Sequence, residues 1–186
     1  MHVDDVPPIR TEVTRFPTLP PLTFAASHDE EPALHLRRYE EADAPVVRRL
    51  HDEGLRELGV HAGDGPWDDD LGAVRANYND RHGEFLVGTV DGDVVAMGAL
   101  RRVTDTVGEI KRMRVEANHR RRGFARAVLD RLEARARELG YRTLRLDTTI
   151  VQISAQRLYT TGGYRETGRT RDRAGHETLR FEKRIA

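Results

Sequence analysis

The sequence predicts one mixed α/β domain with helices covering both faces of a central sheet. Three observations predict it. From Leu34 onward, apolar residues recur with strand or helix period in the order strand, two helices, three strands, helix, strand, helix, two strands. Asp91-Gly92 stands between two apolar runs, a strong short-range signal for a hairpin. The chain has 186 residues, enough for one domain with a sizeable core.

Residues 1–33 stand apart. They hold Pro7, Pro8, Pro17, Pro20, Pro21 and Pro32 and show neither period, which reads as an extended arm or partly disordered tail. Leu34-His35-Leu36-Arg37 alternates as a first strand. Asp43 is the expected N-cap of a helix with Pro45 in its first turn and Val46, Val47, Leu50, Leu55 and Leu58 on its stripe. Residues 59–66 read as a loop, and 68–78 as a second helix with Leu71, Val74 and Tyr78 on one face. A meander follows over 84–90, 94–102 and 107–115. A long helix then carries Phe124, Val128, Leu129, Leu132, Ala136 and Leu139 on one stripe and ends where Gly140 suits a C′ position. Residues 143–147 form a strand, a short helix runs through Ala155, Leu158 and Tyr159 to Gly162-Gly163, and 164–170 with 178–185 close the chain as a hairpin.

Composition narrows the function. Lys+Arg 31 balances Asp+Glu 31, so no overall field draws the chain to nucleic acid or an anionic membrane. There are no cysteines, which excludes disulfides, a thiol nucleophile and an acetyl-cysteine intermediate. The eight histidines show no metal-ligand spacing. No apolar stretch is long enough to span a bilayer and the first residues do not read as a secretory signal, so a cytoplasmic protein is expected.

The run from His119 through Arg120-Arg121-Arg122-Gly123 to the start of the long helix carries the chemistry. A helix start presents unpaired N–H groups and the positive end of the macrodipole. Preceded by a strand, GEIKRMRVEA, and a short loop, it has the geometry that grips a phosphate or diphosphate. Gly123 lets the backbone approach closely, and nearby arginines can pair with phosphate oxygens.

Arg120-Arg121-Arg122-Gly123-Phe124-Ala125 resembles the Arg/Gln-x-x-Gly-x-Gly/Ala signature of the GNAT superfamily, the acetyl-CoA-dependent N-acyltransferases. Residues 109–115 are similar to that family's fourth strand, Leu146-Asp147-Thr148 to its fifth, and Ala155-x-x-Leu158-Tyr159-x-x-x-Gly163-Tyr164 to its last helix and exit. The resemblance covers roughly residues 34–186. It implies a mostly antiparallel sheet of about six or seven strands, flanked by about four helices and splayed between strands 4 and 5. Two positions depart from the pattern: Ala125 replaces a glycine, and Gln152 stands where many members carry asparagine.

The resemblance also implies roles. The amides from Arg121 to Arg126 would hold the diphosphate of acetyl-CoA, with Arg120 and Gln152 beside it. Backbone groups of Met113 and Val115, flanking Arg114, would pair with the pantetheine arm, and a nearby amide would stabilise the tetrahedral oxyanion. Glu109 is the expected general base, directly or through water, and Tyr159 the general acid that protonates the departing thiolate. Trp67 and Asp68 lie where an acceptor would bind, although the acidic run 68–70 also suits a helix start. The expected activity is acetyl transfer from acetyl-CoA to a primary amine of a small molecule in a ternary complex, without a metal and with a homodimer open. The alternatives are a protein N-acetyltransferase and a non-catalytic acyl-CoA-binding regulatory module.

Overall fold

The computed structural model describes residues 22–23, 33–61, 63, 66–172 and 175–186. Apart from 22–23 and 33, the expected N-terminal arm lies outside the described residues. Seven strands form one sheet: β1 (His35–Arg38), β2 (Glu84–Val90), β3 (Asp93–Arg102), β4 (Val107–Val115), β5 (Thr143–Thr149), β6 (Arg165–Arg171) and β7 (Glu177–Arg184). They lie in the order β1-β2-β3-β4-β5-β7-β6, with Leu22–Thr23 adding a two-residue eighth strand beside β1. Every pairing is antiparallel except β4 with β5.

Three α-helices flank the sheet: α1 (Ala44–Arg56), α2 (Phe124–Glu138) and α3 (Ile153–Thr161). Val47 and Leu50 of α1 pack on one face with Tyr78, Phe85, Val87, Met97 and Ala99. Phe124, Val128, Leu129 and Leu132 of α2 pack on the other with Leu86, Leu100, Ile110 and Leu144. With both faces covered, every residue of β2 is buried, which is why Phe85-Leu86-Val87 runs apolar without alternation and the buried Glu84 is paired with Arg38. At Gly98 the packing is so close that a Cβ would stand 2.6 Å from both Met113 Sδ and Val128 Cγ1. The β2–β3 hairpin turns at Asp91 and Gly92, whose φ values of 51° and 92° are those of the primed turn that matches strand twist.

Two expected elements differ in detail. Asp43 does not cap α1 with its side chain; its carboxylate is buried, accepts the Glu40 N–H at 2.8 Å and pairs with Arg37 at 2.7 and 2.8 Å. The segment expected as a second α-helix is a 3₁₀ stretch, Pro66–Ala73, followed by a π turn, Arg75–Asn79. Leu71, Val74 and Tyr78 are buried as the pattern requires. The tighter and wider turns accommodate Asp68 and Asp70, which point inward to hydrogen-bond Arg112 and Tyr78 instead of facing solvent.

The site is positioned by a fork and a bulge. β4 and β5 pair through only three positions, Val107 with Thr143, Gly108 with Leu144 and Glu109 with Arg145, and then separate. On its other side β4 pairs with β3, where Met97 faces Arg114 but Ala99 faces Lys111. β4 thus carries one extra residue, and Arg112 within it has a φ of 56°. Glu116 N–H donates to Val95 O on the β3 side, so the two-residue alternation of a strand turns the main-chain groups of Met113 and Val115 toward the fork.

Candidate active site

At the mouth of the fork the chain leaves β4, passes a short 3₁₀ turn (Ala117–His119) and enters α2. Arg121 and Gly123 both adopt left-handed conformations, with φ of 62° and 81°, which gathers successive amides into a concave nest at the helix start. The side chains of Arg121 and Arg122 make no hydrogen bond or ion pair among the described residues and are exposed. Donor-lined concavity, positive helix end and two uncommitted guanidiniums together suit a diphosphate.

The neighbouring arginines are committed to the scaffold. Arg120 donates through Nε to Val115 O at 3.0 Å and pairs with Glu57 at 2.6 Å, tying the end of α1 to the end of β4. Arg126 reaches across to α3, donating to Leu158 O at 2.9 Å and Thr161 Oγ1 at 2.8 Å. Gln152 accepts from Thr148 Oγ1 at 2.7 Å and from the Thr149 amide at 3.2 Å, so it closes the end of β5 onto the start of α3. Phe124 is buried beneath the nest with His119 stacked on it at 6.3 Å, and Ala125 occupies the first turn of α2 without a bulky side chain.

The two candidate proton-transfer residues lie in different surroundings. Glu109 sits at the closed end of the fork, 9 % exposed, where Arg101 hydrogen-bonds one carboxylate oxygen and Arg145 Nε lies 3.6 Å from the other. Tyr159 on α3 is buried against Tyr164 and Phe181, with ring centroids 5.8 and 6.3 Å away. Burial pushes its phenol up to about 12, and the Arg114 guanidinium opposes the rise. The phenol is thus fully protonated at neutral pH, the state a proton donor needs.

Under α1 lies a polar cluster that the sequence reading missed. Arg112 donates from Nη1 to Asp68 at 2.7 Å and from Nε to Asp70 at 3.0 Å, with a second bond from Nη2 to Asp70, whose carboxylate also takes the Tyr78 hydroxyl. His51 Nε2 lies 2.9 Å from Asp68 and 3.0 Å from Arg112. Burial alone would raise the Asp70 carboxyl, but the Arg112 hydrogen bonds and charge outweigh it and hold Asp70 below the usual carboxylate range. Burial, with Arg114 and then Arg112, pushes the His51 imidazole down to about 3 against the pull of Asp68, so the ring is neutral. Asp68, expected near the acceptor, is 8 % exposed and committed to Arg112 and His51; the Trp67 side chain lies outside the described residues. The signal available in the sequence was the charge of Glu109, Lys111, Arg112 and Arg114 in a strand flanked by apolar ones. Such charges demand partners when the strand is central.

Arg114 is the exception in this cluster. Carboxylate partners raise Arg37 and Arg180, and Asp70 raises Arg112 against burial. Arg114 instead falls to about 10, because burial is not compensated. Its Nη1 donates only to the neighbouring Met113 O at 2.7 Å, and its covered Nε has no partner. Between α1 and the end of β4 lies a cleft of about 240 Å³ whose lining includes Gly54, Glu53, Glu57, Val115, Glu116 and Arg120 but not Arg114.

The sequence model of the acetyltransferase (GNAT) family matches residues 47–164, which takes in the fork, the nest and α3. The chain belongs to the GNAT family. Human N-acetyltransferase 8 is 32% identical over 107 residues, 54% of this chain and 47% of that protein. The N-acetylaspartate synthetase of Danio rerio is 33% identical over 105 residues, 55% of this chain and 37% of that protein. This chain thus spans half or less of the length of these curated relatives. Among solved structures, a GNAT acetyltransferase from Staphylococcus aureus superposes with a TM-score of 0.77 at 18% identity, covering 83% of this chain and all of that one. A putative acetyltransferase from Salmonella typhimurium, solved with its cofactor acetyl-CoA, gives 0.68 at 17% identity over 82% of this chain and 94% of that one. Among the described residues of this GNAT chain, no three His, Asp or Glu side chains gather as a metal site, and no helix is long and apolar enough to cross a membrane.

Proposed function

We propose that this chain is an N-acetyltransferase that moves the acetyl group of acetyl-CoA directly to a primary amine of a small molecule. The observation that carries the reading is the fork: β4 and β5 part after three paired positions, and the freed edge of β4 leads directly into the nest of amides at Arg121–Gly123. A diphosphate held in the nest, flanked by Arg121 and Arg122, sends the pantetheine arm along Met113 and Val115 as an added strand. Their carbonyls already accept from Arg114 and Arg120. Their N–H groups are the donors turned to the fork, and a donor there steadies the oxyanion as the thioester carbonyl is attacked. The Danio rerio relative named N-acetylaspartate synthetase supports a small-molecule acceptor over a protein one.

The reaction runs in five proton and bond events. The acceptor ammonium loses a proton to a relay that ends at Glu109. Its lone pair forms the new C–N bond, and the nitrogen then sheds a second proton. The C–S bond breaks with its electron pair on sulfur. Tyr159 protonates that thiolate and regains its proton from solvent. The products are an acetamide, CoA thiol and one released proton. The test is a thiol-release assay over a library of primary amines, with calorimetric binding of acetyl-CoA measured in parallel. Turnover with small amines supports the reading; saturable acetyl-CoA binding without thiol release on any amine refutes it.

A further inference from the structure

Arg114 is a charged group beside the fork with a covered donor that has no partner among the described residues. It lies on the α1 face of β4, next to Met113 at the fork. Its side chain runs against Gly54 of α1, where a Cβ would stand 2.9 Å from Arg114 Cδ and 3.1 Å from Nε. A glycine inside a helix costs about 1 kcal/mol relative to alanine, and here it makes the channel through which the side chain passes. The same glycine lines the 240 Å³ cleft. Arg112, two residues earlier, takes up the carboxylates within reach, Asp68 and Asp70. Arg114 is left with one hydrogen bond to a carbonyl and no carboxylate. Its Nη2 has no partner and, unlike Nε, is not fully covered. A half-buried guanidinium with a covered, unpaired donor and no counter-ion is unfavourable, and a ligand that supplies the anion relieves it.

We propose that Arg114 receives a carboxylate carried by the acceptor, so that the substrate is an α-amino acid or a close analogue with amine and carboxylate on one carbon. This assignment rests on the acetyltransferase reading and narrows it. Arg114 adjoins the Met113 amide that faces the fork, so a carboxylate on its outer edge sets an amine one carbon away beside the thioester carbonyl. A planar guanidinium offers Nη1 and Nη2 as a pair of donors matched to two carboxylate oxygens. In a peptide the α-carboxyl of the first residue is tied up as an amide and is not available to Arg114.

The test compares L-amino acids with their C-terminal amides in the thiol-release assay. Expected is a kcat/KM ratio of acid to amide of roughly 10- to 100-fold for the unaltered chain, the value of a charge-assisted hydrogen bond, falling toward 1 in Arg114→Gln and Arg114→Met. Gly54→Ala, which keeps the charge but displaces the side chain, lowers the ratio as well. The ratio is internal to each variant, so a general loss of active protein does not mimic the result. A ratio near 1 in the unaltered chain overturns the assignment, as does a high ratio that survives Arg114→Gln. An Arg114→Gln variant that weakens calorimetric CoA binding while keeping the ratio assigns the anion to the carrier's phosphates and overturns it too. Absent thiol release with every amine, despite acetyl-CoA binding, removes the acetyltransferase reading and this assignment together; a failed ratio in an active enzyme removes the assignment alone.

Discussion

Arg112→Leu tests whether the cluster under α1 holds the bulge that shapes the site. The Arg112 side chain is 8 % exposed, and its partners Asp68 and Asp70 are 10 % and 15 % exposed. Deleting the cation leaves two covered carboxylates without their counter-charge. Breaking one buried pair costs about 3–5 kcal/mol. With two carboxylates affected, the upper part of that range applies, about 4–5 kcal/mol at pH 7.5, a large share of the ~5–15 kcal/mol typical of a domain. The orphaned aspartates are then governed by burial, which raises their pKa and favours protonation as the pH falls. The deficit relative to the unaltered chain therefore shrinks between pH 7.5 and pH 4.5. Urea unfolding followed by circular dichroism at both pH values measures it. Adding Asp68→Asn and Asp70→Asn removes the uncompensated charge and restores part of the stability even if the single variant is poorly folded. A loss below ~1 kcal/mol, the value of an exposed pair, or a loss equal at both pH values, refutes the argument.

Three further outcomes follow from the same geometry. The His51 pKa is depressed from about 6.5 unfolded to about 3 folded, so the unfolded chain binds the extra proton; stability is complete above pH ~6.5 and declines by up to about 1.4 kcal/mol per pH unit below it. Calorimetry should show this decline between pH 6.5 and 4.5 in the unaltered chain and a flatter profile in His51→Asn, and a flat profile in both contradicts it. Tyr159→Phe should lower kcat about 10²- to 10⁴-fold while leaving acetyl-CoA affinity within a few-fold; undiminished turnover removes Tyr159 from the acid role. Gly123→Ala meets no atom within 4 Å of the new Cβ, so its effect is backbone strain at φ 81°: a stability loss of roughly 1–2 kcal/mol with weaker calorimetric binding of CoA. Tight binding with unchanged stability would show that the nest does not depend on this conformation.

Much of the fold was legible in the chain because local patterns and burial agree. The Asp91-Gly92 turn, the apolar stripe of α2, Gly140 after it and the order of strands are each specified by a few neighbouring residues. Arg120 and Arg126 were legible only as charges near the nest. Their partners, Glu57 on α1 and Leu158 and Thr161 on α3, lie more than thirty residues away in sequence. The segment 66–79 kept its buried residues but lost its α geometry because two aspartates turn inward to a residue on β4, which no local propensity encodes.

By itself the sequence determined the periodicity of each element, the glycine that permits the nest at the start of α2, and the absence of cysteine chemistry. Only the tertiary structure decided which charges are spent and which remain open. Arg112 and Arg114 are the same residue type two positions apart on one strand, yet folding gives the first two carboxylates and leaves the second with a backbone carbonyl. The reason is physical: the energy of a charge depends on burial and on partners brought from distant parts of the chain, and those are properties of packing.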